Sequence, residues 1–410
     1  MSGLTERTAR LTWGLRSLGI DELWRRGLTG AGVRVGHLDT GVDGNHPALA
    51  GRVAAFLETD DEGRAVPSAP PRDTASHGTH TAGILCGGVL DGEAIGVAPE
   101  ARLYSAAVID GGRNVVRILR GLDWLRGSGV RVLGMALGIA GRNPVFWTLL
   151  DALRAEGVLT VCPIGNDGSA RPHAPALYPG VLAVGAASEQ SRLAPYTGCE
   201  LADGECLKPE VLAPGVDIRS ATPHEAGGTL GGGTSQACAF TAGVACLLFQ
   251  ACPNATPDEV AEAICASATA IDDARGQRYR FGLIQPGLAL ELLLRKAVRP
   301  SATEHAGSKP PFYRDEELLD ECRDASAEAR LHCVVVASER EPVDSTRGAA
   351  GLVVDRVAAT LGEPPESAEY LPAGRIGIVS ASARFIIALG RDPDVQVLSG
   401  ATVRNGRTLF

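Results

Sequence analysis

From Ala101 to Ala186 the sequence alternates short apolar, β-rich runs with longer stretches of helical spacing. Strands are expected at Ala101 to Ile109, Val130 to Ala136, Val158 to Cys162 and Val181 to Ala186, and helices at about Asn114 to Arg126 and Pro144 to Glu156. Strands separated by helices of that length are joined by crossovers rather than hairpins, and right-handed crossovers give a mostly parallel sheet. The fold class is therefore α/β, in which functional groups collect beyond the carboxyl ends of the strands.

Several chemistry-bearing residues fall at such places. Trp13 to Arg26 has helical spacing and ends at Gly27-Leu-Thr-Gly-Ala-Gly32; Val33 to Leu38 then reads as a strand leading into Asp39-Thr-Gly. An aspartate before Thr-Gly is also an ordinary turn former. Asp60 to Ser76 is a polar, proline-rich loop delivering His77-Gly-Thr-His80 to the start of an apolar helix. Two histidines one turn apart suggest a metal pair, but no acidic or cysteine ligand stands nearby, so one packed and one functional histidine is preferred. His37 and His46 have no comparable setting and read as satisfied structural histidines. Asn166, between Gly165 and Asp167-Gly168, follows the Val158 strand; the flanking glycines equally allow a plain turn.

Gly231-Gly-Gly-Thr-Ser235 precedes an apolar run to Phe249 that reads as a buried helix with Ser235 at its N-terminus. A serine hydroxyl is a poor nucleophile alone and requires a base, an orienting carboxylate and an oxyanion donor. His77, Asp39 and Asn166 are the candidates.

With 410 residues, 45% of them hydrophobic, the chain has ample material for a large core and two or three domains. A net charge of −9 and the lack of a polybasic run argue against nucleic-acid binding. The first thirty residues lack a signal peptide's continuous apolar core, and no run approaches eighteen uninterrupted apolar residues. A cytoplasmic protein without membrane partners is the expectation, with export by another route left open. The ten cysteines lie mostly in apolar surroundings and read as reduced, buried thiols; Cys199 and Cys206, in one polar loop, are the pair to watch for a disulfide. No spacing suggests zinc.

In this order, Asp39-Thr-Gly with His46-Pro47, His77-Gly-Thr-His80, Gly96-Val-Ala-Pro99, Gly165-Asn166, Tyr178 to Gly185, Ala213-Pro-Gly215 and Gly233-Thr-Ser235 resemble the subtilisin-type serine proteases, or subtilases. The resemblance spans roughly Trp13 to Leu294 and implies a three-layer domain with a mostly parallel sheet. It further implies that Ser235 attacks the peptide carbonyl, His77 transfers the proton, Asp39 orients the imidazole, and Asn166 with the Ser235 N–H binds the oxyanion. Ala136, Leu137 and Gly138, with Pro163, Ile164 and Gly165, would bind an extended protein or peptide substrate. Cofactors are not implied. A structural calcium is common in the family, but Ala48 and Leu90 stand where its side-chain ligands would be, so none is expected there. Two departures concern the site: Ala239 replaces a proline in the helix after the serine, and Cys162-Pro163-Ile164 replaces small alanines, implying a shallower pocket.

Helices at Thr256 to Thr269 and Pro286 to Lys296 should close the peptidase domain, 1–297. A Pro-, Gly- and polar-rich linker with a charged, helical stretch follows over 298–330. Residues 331–410 then read strand, helix, strand, strand, helix, strand, a small ferredoxin-like α+β domain with an antiparallel sheet. Ala381 to Leu398 resembles the subtilisin propeptide, placed here after the peptidase instead of before it. Such a unit implies an intramolecular inhibitor whose tail, Thr408, Leu409 and Phe410, lies along the cleft as an added strand. A folding assistant or partner-recruiting domain is the competing reading of this unit. For the whole chain, the alternatives to an autoinhibited endopeptidase are a processing protease or transpeptidase, and an inactive protease-like binding module.

Overall fold

A computed structural model describes residues 9–60, 62–110, 114–168, 171–202, 205–271, 278–297, 313–325, 329–338, 348–371 and 375–400. Its centre is an eight-stranded sheet: β1 (Arg34–Asp39), β2 (Val53–Glu58), β3 (Arg102–Ala107), β4 (Val132–Met135), β5 (Leu159–Pro163), β6 (Leu182–Ala187), β7 (Val211–Pro214) and β8 (Gly282–Leu283). The spatial order is β8-β7-β6-β5-β4-β1-β3-β2, and every neighbouring pair is parallel. From β1 the chain goes first to the edge with β2, returns with β3 between β2 and β1, then crosses to the other side with β4. The order therefore reverses at the β1/β4 boundary, the kind of switch point at which open α/β sheets form a crevice.

Four helices cover the faces: α1 (His77–Cys86), α2 (Asn114–Leu125), α3 (Trp147–Ala155) and α4 (Thr234–Ala251). Strand residues alternate between the two resulting cores. Val132, Val161, Leu182 and Val184 pack in the same core as α1 and α4, while Leu133, Cys162 and Ala183 join the core that holds α2 and α3. A sheet covered on both faces needs apolar residues throughout, which is why these strands lack the polar alternation of a half-exposed sheet. α4 is buried from Thr234 to Phe249, and this long apolar helix belongs to the core of the fold. The expected single helix over Trp13 to Arg26 is instead two, Trp13–Ser17 and Ile20–Arg25. They are broken at Gly19, whose φ of 60° no regular helix contains.

After α5 (Pro257–Ser267) and α6 (Pro286–Ala297), a second sheet forms from β9 (Tyr313–Arg314), β10 (Arg330–Ala337), β11 (Ser367–Tyr370), β12 (Ile376–Ser382) and β13 (Val395–Gly400). The order is β9-β13-β10-β12-β11, antiparallel except for the β9 pair. Helices α7 (Glu316–Asp324), α8 (Gly348–Leu361) and α9 (Ala383–Arg391) accompany it. The expected ferredoxin-like order is present. The second unit starts earlier than the expected 331, however, because β9 pairs with β13 and the Gly400 N–H donates to Asp315 at 2.9 Å.

This second sheet is also covered on both sides. Cys333, Val335 and Ala337 pack in a core with α8 and α9, whereas the alternate residues Val334 and Val336, with Leu371, Ile376 and Val397, belong to the core of α2 and α3. At the same junction Asn143 donates to Ser399 Oγ at 3.3 Å, and Arg120 on α2 pairs with Glu369 on β11.

Candidate active site

Asp39 ends β1 at the switch point, fully buried. His77 opens α1, and the Asp73 carboxylate on the preceding loop fixes that helix end, accepting from the Thr79 N–H at 2.7 Å and the Thr79 hydroxyl at 2.6 Å. A carboxylate at a helix N-terminus satisfies N–H groups that have no partner within the helix and complements the helix dipole. Gly78 lets the helix start lie against the Asp39 loop: a Cβ there would fall 2.0 Å from Gly41 O. The result is a 2.7 Å hydrogen bond between His77 Nδ1 and Asp39 Oδ1.

Because an ionised carboxylate only accepts, Nδ1 of His77 carries the proton and Nε2 is left as the basic atom. Burial pushes the Asp39 carboxyl up, but the electrostatic pull and hydrogen bond of His77, the neighbouring His37 imidazole and the Thr40 N–H outweigh it and hold the group below its usual range. Asp39 is thus ionised under ordinary conditions.

Ser235 is the second residue of α4, so its N–H has no partner within the helix. Its hydroxyl donates to Ala136 O, just beyond β4, at 3.1 Å. Ala239 is accommodated without a break in the helix, so the missing proline does not interrupt α4. Asn166, after β5, accepts from the Thr234 N–H at 2.9 Å and the Thr234 hydroxyl at 3.0 Å through Oδ1, which turns its Nδ2 donor away from those groups.

The sheet thus brings Asp39, Ala136 and Asn166 to the same edge, with His77 and Ser235 supplied by helix N-termini. Leu137 and Ile164 are buried in the α2/α3 core, as is Cys162, so their side chains do not line a cleft. Instead, the buried His173 stands between Gly138 and Gly165 and bonds Asp167 Oδ2 at 2.9 Å; a Cβ on Gly165 would lie 2.6 Å from its ring. Thr408, Leu409 and Phe410 lie outside the described residues.

His80 and His46 also have partners. His80 meets Ile218 O at 3.1 Å and Gln236 at 3.4 Å, while His46 Nδ1 accepts from the Ala48 N–H at 3.1 Å. Among the described residues no cluster of three His, Cys, Asp or Glu side chains could hold a metal. Ala48 and Leu90 lie in the apolar core. Cys199 and Cys206 are free thiols with Sγ atoms 3.2 Å apart.

Burial depresses His80 to about 4. The unfolded chain would bind its proton near 6.5, so between those values the unfolded state holds more protons and stability falls as pH falls. The contribution, on the order of 3 kcal/mol, is fully present above about pH 6.5. His80→Gln is expected to flatten the acid side of a melting-temperature profile between about pH 6.5 and 4; an unaltered slope would assign that loss to other groups.

A parallel sheet with a switch-point carboxylate, a histidine bonded to it and a serine at a helix N-terminus carries the parts that a serine hydrolase requires. The model of the Subtilase family matches residues 30–283, more than half of the chain. The chain belongs to the subtilase family and is in class a subtilisin-type serine endopeptidase. It is 32% identical over 268 residues to subtilisin from Bacillus pumilus, covering 63% of this chain and 91% of that protein. To subtilisin E from Bacillus subtilis (strain 168) it is 32% identical over 275 residues, or 64% and 68% of the two chains. To the minor extracellular protease Epr of the same organism it is 29% identical over 336 residues, covering 78% of this chain but only about half, 48%, of Epr.

Sequence reasoning missed Asp73 and Thr81, and it read His37 as a satisfied structural histidine with no part in the site. A usable signal existed for His37: it stands two residues before Asp39, and in a strand that spacing puts both side chains on one face.

Proposed function

We propose that this chain hydrolyses peptide bonds in protein or peptide substrates through an acyl-enzyme on Ser235. The observation that carries this is the 2.7 Å bond from His77 to the buried, ionised Asp39, which leaves His77 Nε2 as the base. The Ser235 hydroxyl gives up its bond to Ala136 O, passes its proton to His77, and attacks the carbonyl; His77 returns the proton to the leaving amine. Water then takes the place of the amine and the same steps run again, releasing the acid. Asn166 Nδ2 and the Ser235 N–H receive the developing oxyanion. Reaction of the protein with a fluorophosphonate, followed by mapping of the adduct, tests the proposal: an adduct at a residue other than Ser235 defeats it.

Asn166→Ala is expected to leave the fold intact and lower kcat by roughly two to three decades, the size of one oxyanion donor. Unchanged kcat would remove Asn166 from the mechanism.

The ferredoxin-like unit is proposed to inhibit this site intramolecularly. Its docking on the core of α2 and α3, and the contact of Ser399 with Asn143 at the end of β13, support the reading, because the chain beyond Gly400 starts from the peptidase surface. Residues 401–410 are long enough to span about 30 Å when extended. An extended segment in the cleft would bind through its main chain, with its last side chain in the pocket.

A further inference from the structure

The central strand of a parallel sheet is the last place to expect a polar chain, yet one runs through it. On β1, His37 and Asp39 point to the same face; on α1, His77 and Thr81 are one turn apart and share a face. Parallel register sets Ser105 of β3 directly beside His37. The outcome is a continuous set of contacts: Ser105 Oγ to His37 Nδ1 at 3.0 Å, His37 Nε2 to Thr81 Oγ1 at 2.9 Å, and Thr81 Oγ1 to Asp39 Oδ2 at 2.9 Å. His37, Thr81 and Ser105 are each about 1% exposed or less, so water does not substitute for any of these bonds.

The direction of the chain follows from chemistry. Asp39 as a carboxylate only accepts, so the Thr81 hydroxyl donates to Oδ2. Having one proton, Thr81 must accept from His37 Nε2–H. His37 therefore has no proton on Nδ1, which accepts from Ser105. The two backbone carbonyls that compete for the Thr81 hydroxyl, His77 O at 3.1 Å and Gly78 O at 3.2 Å, are uncharged and farther away. Burial keeps His37 neutral, against the attraction of Asp39 and Asp73 and with the charge of His77 assisting.

The geometry points to Thr81 and His37 as positioning residues for the hydrolysis, a buried relay that loads the Asp39 oxygen opposite His77 and so fixes the plane and basicity of that carboxylate. This rests on the reading of Asp39, His77 and Ser235 as the catalytic groups. Oδ1 receives the Thr40 N–H at 2.7 Å and the His77 N–H. Oδ2 receives Thr81, with His37 Nε2 a further 3.6 Å contact. Removing the Oδ2 donor makes Asp39 more basic and its bond to His77 stronger, and the imidazole then holds its proton to higher pH. The titratable groups facing Asp39 are His37 on its own strand, His77 and His80 on α1, Asp73 on the loop before it and Cys238 on α4. Of these, only His77 and His37 lie within 4 Å of its oxygens in the ion pairs of the site.

The test is the pH dependence of fluorophosphonate labelling of the full chain, both intact and cut between 298 and 312 at nanomolar concentration, with Ser235→Ala as control, together with the low-field proton resonance of His77 Nδ1–H. In Thr81→Val, which keeps the shape and loses the hydroxyl, the acid limb should move to higher pH by about half a unit or more. Its plateau rate should fall about tenfold, the size of one hydrogen bond to a charged group, and the resonance should move further downfield. Thr81→Ser should return the rate to within about threefold. His37→Leu should repeat the Thr81→Val pattern at smaller size, and His37→Gln, which keeps an N–H, should reverse most of it. A folded Thr81→Val with the wild-type limb, plateau and resonance overturns the proposal. If that variant does not fold, Ser105→Ala decides: it leaves every direct partner of Asp39 in place, and an unmoved limb and resonance in it overturn the relay. Failure of the wild-type chain to label at Ser235 both intact and after cutting and dilution would instead defeat the catalytic reading, and the resonance, which needs no turnover, would still report on the relay.

Discussion

Replacing Ser235 by alanine is expected to lower kcat by about six decades, the size that loss of the nucleophile has in a subtilisin, while leaving roughly three decades over the uncatalysed reaction. The effect is large because the groups act as a unit: His77 has no proton to take and Asp39 no imidazolium to stabilise. What remains comes from Asn166, the Ser235 N–H and substrate binding, none of which needs the hydroxyl. KM should change little, since Ser235 Oγ bonds to Ala136 O and to nothing a substrate supplies in the ground state. Fold is preserved because the side chain is small and that single bond is easily lost. Measurement of kcat with a peptide substrate checks this; a loss of less than tenfold would mean that the acyl-enzyme forms elsewhere or not at all.

The second large effect is release of the site when the chain is cut between 298 and 312. On the inhibitor reading, a tether of that length would hold the C-terminal unit at about millimolar effective concentration, so that modest affinity would keep the cleft closed. Cutting alone does not separate the halves. Val334, Val336, Leu371, Ile376 and Val397 are buried in the shared core at about 1.5–3 kcal/mol each before ordering costs. The signature is therefore a dependence on dilution: labelling of the cut protein should rise by roughly a hundredfold or more between micromolar and nanomolar concentration, while the intact chain stays constant. Rapid labelling of the intact chain, unaltered by cutting at any dilution, would discard the inhibitor reading and leave the peptidase. Shortening the chain before Arg407 separates the two parts of the claim, because it removes the tail and keeps the docked sheet.

Much of this was legible without coordinates. The alternation from Ala101 to Ala186 gave the parallel sheet because crossover geometry depends only on local period and connection length. Asp39, His77, Asn166 and Ser235 could be placed because each sits at the end of a strand or start of a helix, a position marked by glycines and by a change of pattern. The order of strands, helices and turns after Arg330 likewise defined the ferredoxin-like unit.

Other features depended on what lies across the sheet. Cys162, Leu137 and Ile164 sit in segments expected to bind substrate, yet their side chains join the α2/α3 core, and His173 fills the space between Gly138 and Gly165. The stretch 313–325 reads as part of a linker, and only its parallel pairing with β13 makes it part of the second domain. His37 is the sharpest case. Its spacing from Asp39 is in the sequence, but its value comes from Thr81 on a helix and Ser105 on another strand, brought within hydrogen-bond reach by register and packing. Local period determined which residues share a face. Only the tertiary structure decided what that face meets, because in a sheet covered on both sides each face is buried and the partner always comes from a distant part of the chain.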